Sequence, residues 1–283
     1  MDMKVLFRLL RMRQWYKNLV VFSPIFFGEH LFVAEKLAIT FAAFIALCLV
    51  SSGNYIINDI VDRKRDAVHP EKRVRPIASG LVSPTSGLVY AVFLFGVGLL
   101  VGWLLGPWFF SGLLALIVLT SAYTLYLKHE VFVDILLISV NFVIRTAAVV
   151  FPLRISLSPW LILCPFFFAL FLAAGKRHAD VLLLKSEGAS HKRVLQYYTP
   201  EITRVLMTIT TTMLIVSYAL YIFSLDNLLV FLTLPFVLYA VFRWYMHVFG
   251  GEDLSRHPEC AIRDYRLIGA AVAVAVIFLI ALY

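Results

Sequence analysis

Long apolar runs recur along this chain, separated by short polar stretches rich in Lys and Arg. An α-helix needs about 20 apolar residues to cross a bilayer. Nine runs of that order predict nine helices, near residues 16–33, 37–58, 84–105, 108–127, 132–152, 159–175, 202–224, 227–248 and 264–283. Pro24 interrupts the first. Proline and glycine are tolerated in such helices where neighbouring groups re-satisfy the backbone. The expected fold is all-α, a polytopic membrane protein forming one transmembrane domain over residues 1–283. No low-complexity stretch or soluble domain interrupts it.

Composition strengthens this reading. Hydrophobic residues make up 61% of the 283, against about half in a soluble domain. The 24 Phe, 13 Tyr and 5 Trp suit lipid-facing helices with aromatic belts at their ends. Cys48, Cys164 and Cys260 are far apart and show no metal-ligand spacing, and the first two lie in apolar runs as core fillers.

The net charge of +8 follows topology rather than nucleic-acid binding. Lys4, Arg8, Arg11, Arg13 and Lys17 precede the first run, and Arg63, Lys64, Arg65, Lys72, Arg73 and Arg75 fill the 59–83 loop. Lys128 follows the fourth run. Lys176, Arg177, Lys185, Lys192, Arg193 and Arg204 fill the 176–204 loop, and Arg256, Arg263 and Arg266 the last one. The opposite side holds only Lys36 and Arg154. Cationic loops stay in the cytoplasm. The expectation is a multi-pass protein of the cell (inner) membrane, with a cytoplasmic N-terminus and active-site loops and an external C-terminus. No cleavable signal precedes the first run.

The most informative stretch closes the second run. Asn58, Asp62 and Asp66 recur every four residues, with Tyr55 one turn earlier. On a helix they share roughly one face. Acidic groups at a membrane boundary are costly unless they meet cations. An Asn and two Asp stacked in this way offer Mg²⁺ hard oxygen ligands, with a substrate's phosphates completing the shell. A solvated helix end accounts for the neighbouring Lys and Arg but not for oxygen ligands so regularly spaced. Lys72, Arg73 and Arg75 follow closely, and beside a Mg²⁺ site they suit a diphosphate.

Arg145 lies well inside the 132–152 run, too far from its cytoplasmic end to snorkel readily. An intramembrane Arg is expensive and usually faces the interior with a functional partner. We read it as an anion ligand. Arg243, nearer a helix end, reads as a snorkelling residue. Lys17, beside Trp15 and Tyr16, and Lys128, after Tyr123 and Tyr126, fit interfacial anchoring as well as they fit a site. Lys176 and Asp180 are one turn apart, placed for a local ion pair or for a cavity. His178 reads as a surface histidine. No Walker, dinucleotide, nucleophile-elbow or Cys/His metal motif is present, which argues against a nucleotide-driven pump and a covalent nucleophile.

These residues resemble the UbiA superfamily of intramembrane prenyltransferases, in which Asn-Asp-x-x-Asp-x-x-x-Asp follows the second of nine helices around a central cavity. Asn58, Asp59, Asp62 and Asp66 match that motif fully. A nearer resemblance is to the decaprenyl-phosphate phosphoribosyltransferases within that superfamily. It rests on Arg13 to Asn18, Lys72 to Gly80, Tyr123 to Lys128, Asn141 to Thr146 and Gly175 to Arg177. The prenyltransferases carry a second Asp-x-x-x-Asp after the sixth helix, and here Lys176 stands at its first position. That departure fits a lipid monophosphate held by cations.

The resemblance implies transfer of 5-phosphoribosyl from phosphoribosyl pyrophosphate to a polyprenyl phosphate. Mg²⁺ sits on Asn58 and Asp62, with Asp66 direct or through water. Lys17, Tyr55 and Lys72 grip the donor's phosphates. Asp62, Lys128 and Arg145 carry catalysis, the last two between donor and acceptor, and Lys176 holds the lipid phosphate. Two other readings stand beside this one. A prenyltransferase acting on an aromatic or glycerol-phosphate acceptor would use the same Asp motif. A transporter would show inverted repeats and broken helices, and no clear repeat is visible. Whether the protein forms an oligomer is open from sequence.

Overall fold

The computed structural model describes residues 2–187, 197–250, 256 and 258–283, side chains at 129, 183–187 and 259 apart. The Lys185 side chain, and Lys192 and Arg193 of the expected basic loop, lie outside the described residues. All regular elements among the described residues are helical. The α-helices are α1 (Met3–Leu9), α2 (Ser23–Phe27), α3 (Ala34–Val61), α4 (Arg63–Ala67), α5 (Pro84–Leu105) and α6 (Pro107–Leu125). They continue with α7 (Val133–Leu153), α8 (Trp160–Glu187), α9 (Pro200–Phe223), α10 (Leu234–Phe249) and α11 (Tyr265–Leu282). Shorter 3₁₀ stretches include Met12–Phe22 and Leu228–Thr233.

Eight helices among the described residues are long and apolar enough to cross a membrane: α3, α5, α6, α7, α8, α9, α10 with its preceding 3₁₀ turn, and α11. The ninth expected helix, 16–33, is not continuous. Met12–Phe22 is 3₁₀, α2 is five residues long, and Pro24 lies in its first turn, where a missing N–H costs least. Side-chain bonds running sideways to α3 hold the 3₁₀ stretch: Trp15 Nε1 donates to Ser52 Oγ (3.1 Å) and Asn18 Nδ2 to Cys48 Sγ (3.2 Å). A second departure is the sixth helix. It was expected to end at 175, but α8 runs on to Glu187, because Arg177 is neutralised on its own turn by Asp180.

The chain forms two compact units, Met1–Lys128 with Asn141–Leu157, and His129–Val140 with Ser158–Tyr283. In the first, α3 packs closely on α5 through small residues. A Cβ at Gly98 would come within 2.9 Å of Val50 and 3.2 Å of the Ala46 carbonyl, and one at Gly53 would strike the Phe95 ring. Such close approach is how helices associate where water supplies no drive. Leu9, Ile56, Ile77, Val82, Ala91 and Leu94 form a second cluster. Fully buried Ile77 thereby anchors the 68–83 loop beside α3, and Gly80, at φ +79°, turns the chain into α5.

In the second unit, Phe171, Ala174, Met207, Leu214, Val241, Trp244 and Val248 join α8, α9 and α10. Asp264 caps α11 through the amides of Arg266 and Leu267. It also takes Arg243 Nε at 2.8 Å and His247 Nε2 at 2.6 Å. Burial pushes its carboxyl up, but these bonds outweigh burial and hold it well below the usual carboxylate range. Arg243 is therefore an ion-paired residue rather than a snorkelling one.

Candidate active site

The Asp-rich stretch keeps its helical spacing across the junction of α3 and α4. The Asp62 amide donates to the Asn58 carbonyl (2.9 Å) and the Asp66 amide to the Asp62 carbonyl (2.8 Å). Asn58, Asp62 and Asp66 thus remain one turn apart, as expected. Thr124 Oγ1 of α6 donates to Asn58 Oδ1 at 3.3 Å and orients the amide.

Each carboxylate is met by cations. Lys128 Nζ lies 2.7 Å from Asp62 Oδ1, and Arg65 reaches the same oxygen at 3.4 Å. Arg75 Nη1 bridges Asp66 Oδ2 (2.5 Å) and Asp59 Oδ1 (3.0 Å), and Lys72 Nζ stands 4.0 Å from Asp66. Arg11 Nη2 pairs with Asp59. Asp59 and Asp66 are each 2% exposed. Lys72 is lowered from the ordinary lysine value, by burial first and then by Arg75, against the opposing pull of Asp66 and Asp62. Five cations therefore thread three carboxylates. That surplus suits a polyanion.

Arg11 reaches this cluster from a left-handed backbone, φ 48°. Such a conformation costs about 1–3 kcal/mol and persists only where surroundings over-determine it. Its guanidinium lies 4.9 Å above the Tyr55 ring and pairs with Asp59, and Ser52 Oγ donates to the adjoining Leu10 carbonyl at 2.8 Å. Lys17 is partly buried, 5.9 Å from the Tyr16 ring centre.

Arg145 sits on α7, partly buried, 5.5 Å from the Phe142 ring and within electrostatic reach of Tyr55 and Cys48. Its Nε is buried and has no hydrogen-bond partner among the described residues. Tyr55, Asn58, Asp62, Asp66, Lys17, Lys72, Lys128 and Arg145 all belong to the first unit.

Lys176 belongs to the second unit, exposed on α8. Beside it, Arg177 is buried, its Nε 2.7 Å from Asp134 Oδ2 and its Nη1 3.1 Å from Asp180. Arg256 also reaches Asp180, at 3.6 Å. Tyr198 donates to Asp134 at 2.8 Å, and burial, with Asp134 adding to it, pushes its phenol up. His178 is not a surface histidine. It is 1% exposed, with Nδ1 2.8 Å from Thr203 Oγ1 and its ring 4.5 Å from that of Phe249. The longer α8 carries it onto a packed face.

Among the described residues no three His, Cys, Asp or Glu side chains make a ready metal cage. Mg²⁺ seldom needs one, since one or two carboxylates plus substrate phosphates suffice. Asn58, Asp62 and Asp66 offer that donor set, all hard oxygens, with cations positioned to turn to phosphate when a metal takes the carboxylates. The residues fit.

The model of the UbiA prenyltransferase family matches residues 21–257. The chain belongs to this family. Decaprenyl-phosphate phosphoribosyltransferase of Mycolicibacterium smegmatis is 33% identical over 277 residues, covering 92% of this chain and 86% of that protein. The Mycobacterium tuberculosis H37Rv protein of the same name is 33% identical over 283 residues, 93% of each chain. The UbiA homologue of Archaeoglobus fulgidus solved with DMAPP and Mg²⁺ has the same fold. Its TM-score is 0.71 at 15% identity, over 95% of this chain and 99% of that one. As a UbiA-family chain this is a multi-pass membrane enzyme, and the transporter reading falls away.

Two features of this UbiA-family site escaped the sequence reading. Asp59, about 100° round the helix from Asn58, has no role in the sequence reading beyond matching the motif. It is the buried centre on which Arg11 and Arg75 converge. The only signal was the density of Arg on both flanks. Arg177 was passed over for its neighbour Lys176. Its burial is met by Asp134, forty-three positions earlier, together with Asp180.

Proposed function

We propose that this protein transfers the 5-phosphoribosyl group of phosphoribosyl pyrophosphate to a polyprenyl phosphate of decaprenyl type, releasing pyrophosphate. The observation that carries this is the charge balance at the α3–α4 junction, where three carboxylates are threaded by five cations with Arg145 on α7 in addition. A donor with a diphosphate and a further phosphate matches that surplus. The names of relatives 33% identical over nine-tenths of the chain support the same reading.

Asn58, Asp62 and Asp66 would hold Mg²⁺. Bound there, it would supply positive charge that stabilises the departing pyrophosphate. Lys17, Tyr55 and Lys72 grip the donor's phosphates. Lys128, released from Asp62, and Arg145 neutralise charge between donor and acceptor. The bond from the anomeric carbon to pyrophosphate breaks, and a bond to a lipid-phosphate oxygen forms. That oxygen is already anionic at neutral pH, so no general base is required. Lys176 is the counterion of the lipid phosphate. The whole chain acts as one transmembrane domain in the cell (inner) membrane, with the α3–α4 junction at the cytoplasmic face.

The test offers purified protein two substrate pairs. Phosphoribosyl pyrophosphate with polyprenyl phosphate should react. Faster reaction of polyprenyl diphosphate with an aromatic or glycerol-phosphate acceptor would replace this reading with the prenyltransferase one.

A further inference from the structure

Of the five cations at the α3–α4 junction, Arg11 alone pairs with neither Asp62 nor Asp66 among the described residues. Its carboxylate is Asp59, which lies outside the proposed metal ligands. When Asp62 and Asp66 turn to a metal, the other four cations each lose a partner. The Arg11–Asp59 pair stands. Arg11 is thus the fixed cation of the site.

Three things hold it in place. Its Nη2 pairs with buried Asp59, its guanidinium lies 4.9 Å above the Tyr55 ring, and its backbone is left-handed at φ 48°. Glycine adopts that conformation without strain, so a long cationic residue kept there points to a use for the side chain. The guanidinium is not used up by these contacts. It carries five N–H donors in a planar fork. Among the described residues Nη2 is its one hydrogen-bonded side-chain group, and the side chain is 20% exposed where that of Asp59 is 2%. Arg11 therefore keeps an accessible edge with donors to spare.

Its position suits one end of the proposed donor. Tyr55 and Asp59 precede Asp62 by seven and three residues. That sets Arg11 roughly 5–10 Å back along α3 from Asp62, at 1.5 Å per residue. The donor has two anionic ends, a diphosphate and a 5-phosphate, with the pentose between them. With the diphosphate beside Asp62 and Asp66, the second anion falls on Arg11. A phosphate monoester accepts two parallel N–H bonds from a guanidinium edge.

We propose that Arg11, braced by Asp59 and Tyr55, binds the 5-phosphate of the donor and so makes the enzyme specific for a phosphorylated sugar. This rests on the phosphoribosyl reading.

The test uses full-length protein in detergent, with ribose 5-phosphate and inorganic pyrophosphate as separate inhibitors of pentosyl transfer. Both should compete with phosphoribosyl pyrophosphate in wild type. Arg11→Gly removes the side chain at a backbone position that glycine accepts, and Arg11→Gln removes the charge at similar size. Each should weaken inhibition by ribose 5-phosphate, and raise KM for phosphoribosyl pyrophosphate, by roughly tenfold or more, the scale of a lost hydrogen bond to a charged group. Inhibition by pyrophosphate, half-saturating Mg²⁺ and KM for polyprenyl phosphate should stay close to wild type. The readout is a ratio of two inhibitors on whatever turnover remains, so either variant alone suffices, and a merely structural role would not move it. Equal weakening of both inhibitors overturns the inference, as does weakening confined to pyrophosphate. Unchanged inhibition by ribose 5-phosphate, or a wild type that ribose 5-phosphate does not inhibit, also overturns it. If wild type transfers no pentose, the functional reading itself has failed, an outcome distinct from all of these.

Discussion

Lys128 Nζ rests 2.7 Å from Asp62 Oδ1, both residues largely buried and sixty-six positions apart in the chain. The contact joins the end of α6 to the end of α3 and places a cation on the carboxylate from which a divalent metal would displace it. Asp62 and Lys128 should therefore fail in different ways. Asp62→Ala should abolish Mg²⁺-dependent turnover while leaving the protein folded in detergent. Lys128→Ala should lower kcat roughly a hundredfold, the scale of losing one charge-stabilising donor, while half-saturating Mg²⁺ stays equal or falls. Mg²⁺ titrations of turnover separate the two. Near-normal turnover with Mg²⁺ chelated would contradict the metal assignment.

Arg75 is a structural bridge as well as a cation. It ties Asp59 to Asp66, and Arg75→Ala leaves two buried carboxylates short of a partner. Removing one member of such a network costs about 3–5 kcal/mol. The variant should melt earlier in detergent than Lys72→Ala, whose amine stands 4.0 Å from Asp66. Arg75→Lys should rescue little, because one amine cannot reproduce the guanidinium fork. Equal melting of all three would remove the bridging role.

The cations should divide between substrates. Lys17→Ala and Lys72→Ala should raise KM for phosphoribosyl pyrophosphate, and Lys176→Ala that for polyprenyl phosphate. Arg145→Ala should damage both. Steady-state kinetics with each substrate varied in turn would decide it. Loss of affinity for the same substrate in all four variants would refute the division.

Topology carries its own prediction. Cations stand at the N-terminus and at alternate helix ends through Arg263 and Arg266. With all of these ends in the cytoplasm, the broken Met12–Phe27 segment would have to traverse the membrane alongside the eight long helices. A reporter fused after Tyr283 should be active only outside the cell. Cytoplasmic activity would mean that the segment lies on the membrane surface.

Apolar length alone made the eight long helices legible: 84–105 was read as it is found, and most other ends fall within about two residues. Residues whose meaning depends on a distant partner were not legible. Asp59 needed Arg75 sixteen positions on and Arg11 forty-eight back, and Arg243 needed Asp264. His178 looked exposed because the apolar run ended before it, yet ion pairing carried α8 onward and buried it. The four-residue spacing of Asn58, Asp62 and Asp66 was legible because it is local, and helix geometry preserves it.

The central claim is that a pentosyl group leaves pyrophosphate for a lipid phosphate. The most direct measurement uses phosphoribosyl pyrophosphate carrying one label in the ribose and another in the terminal phosphate of the diphosphate, incubated with purified protein, Mg²⁺ and polyprenyl phosphate. The ribose label should enter the organic phase while an equal amount of the diphosphate label appears in the water as free pyrophosphate, and Asp62→Ala should stop both. Ribose label confined to the water, or both labels moving together into the lipid, would contradict the account.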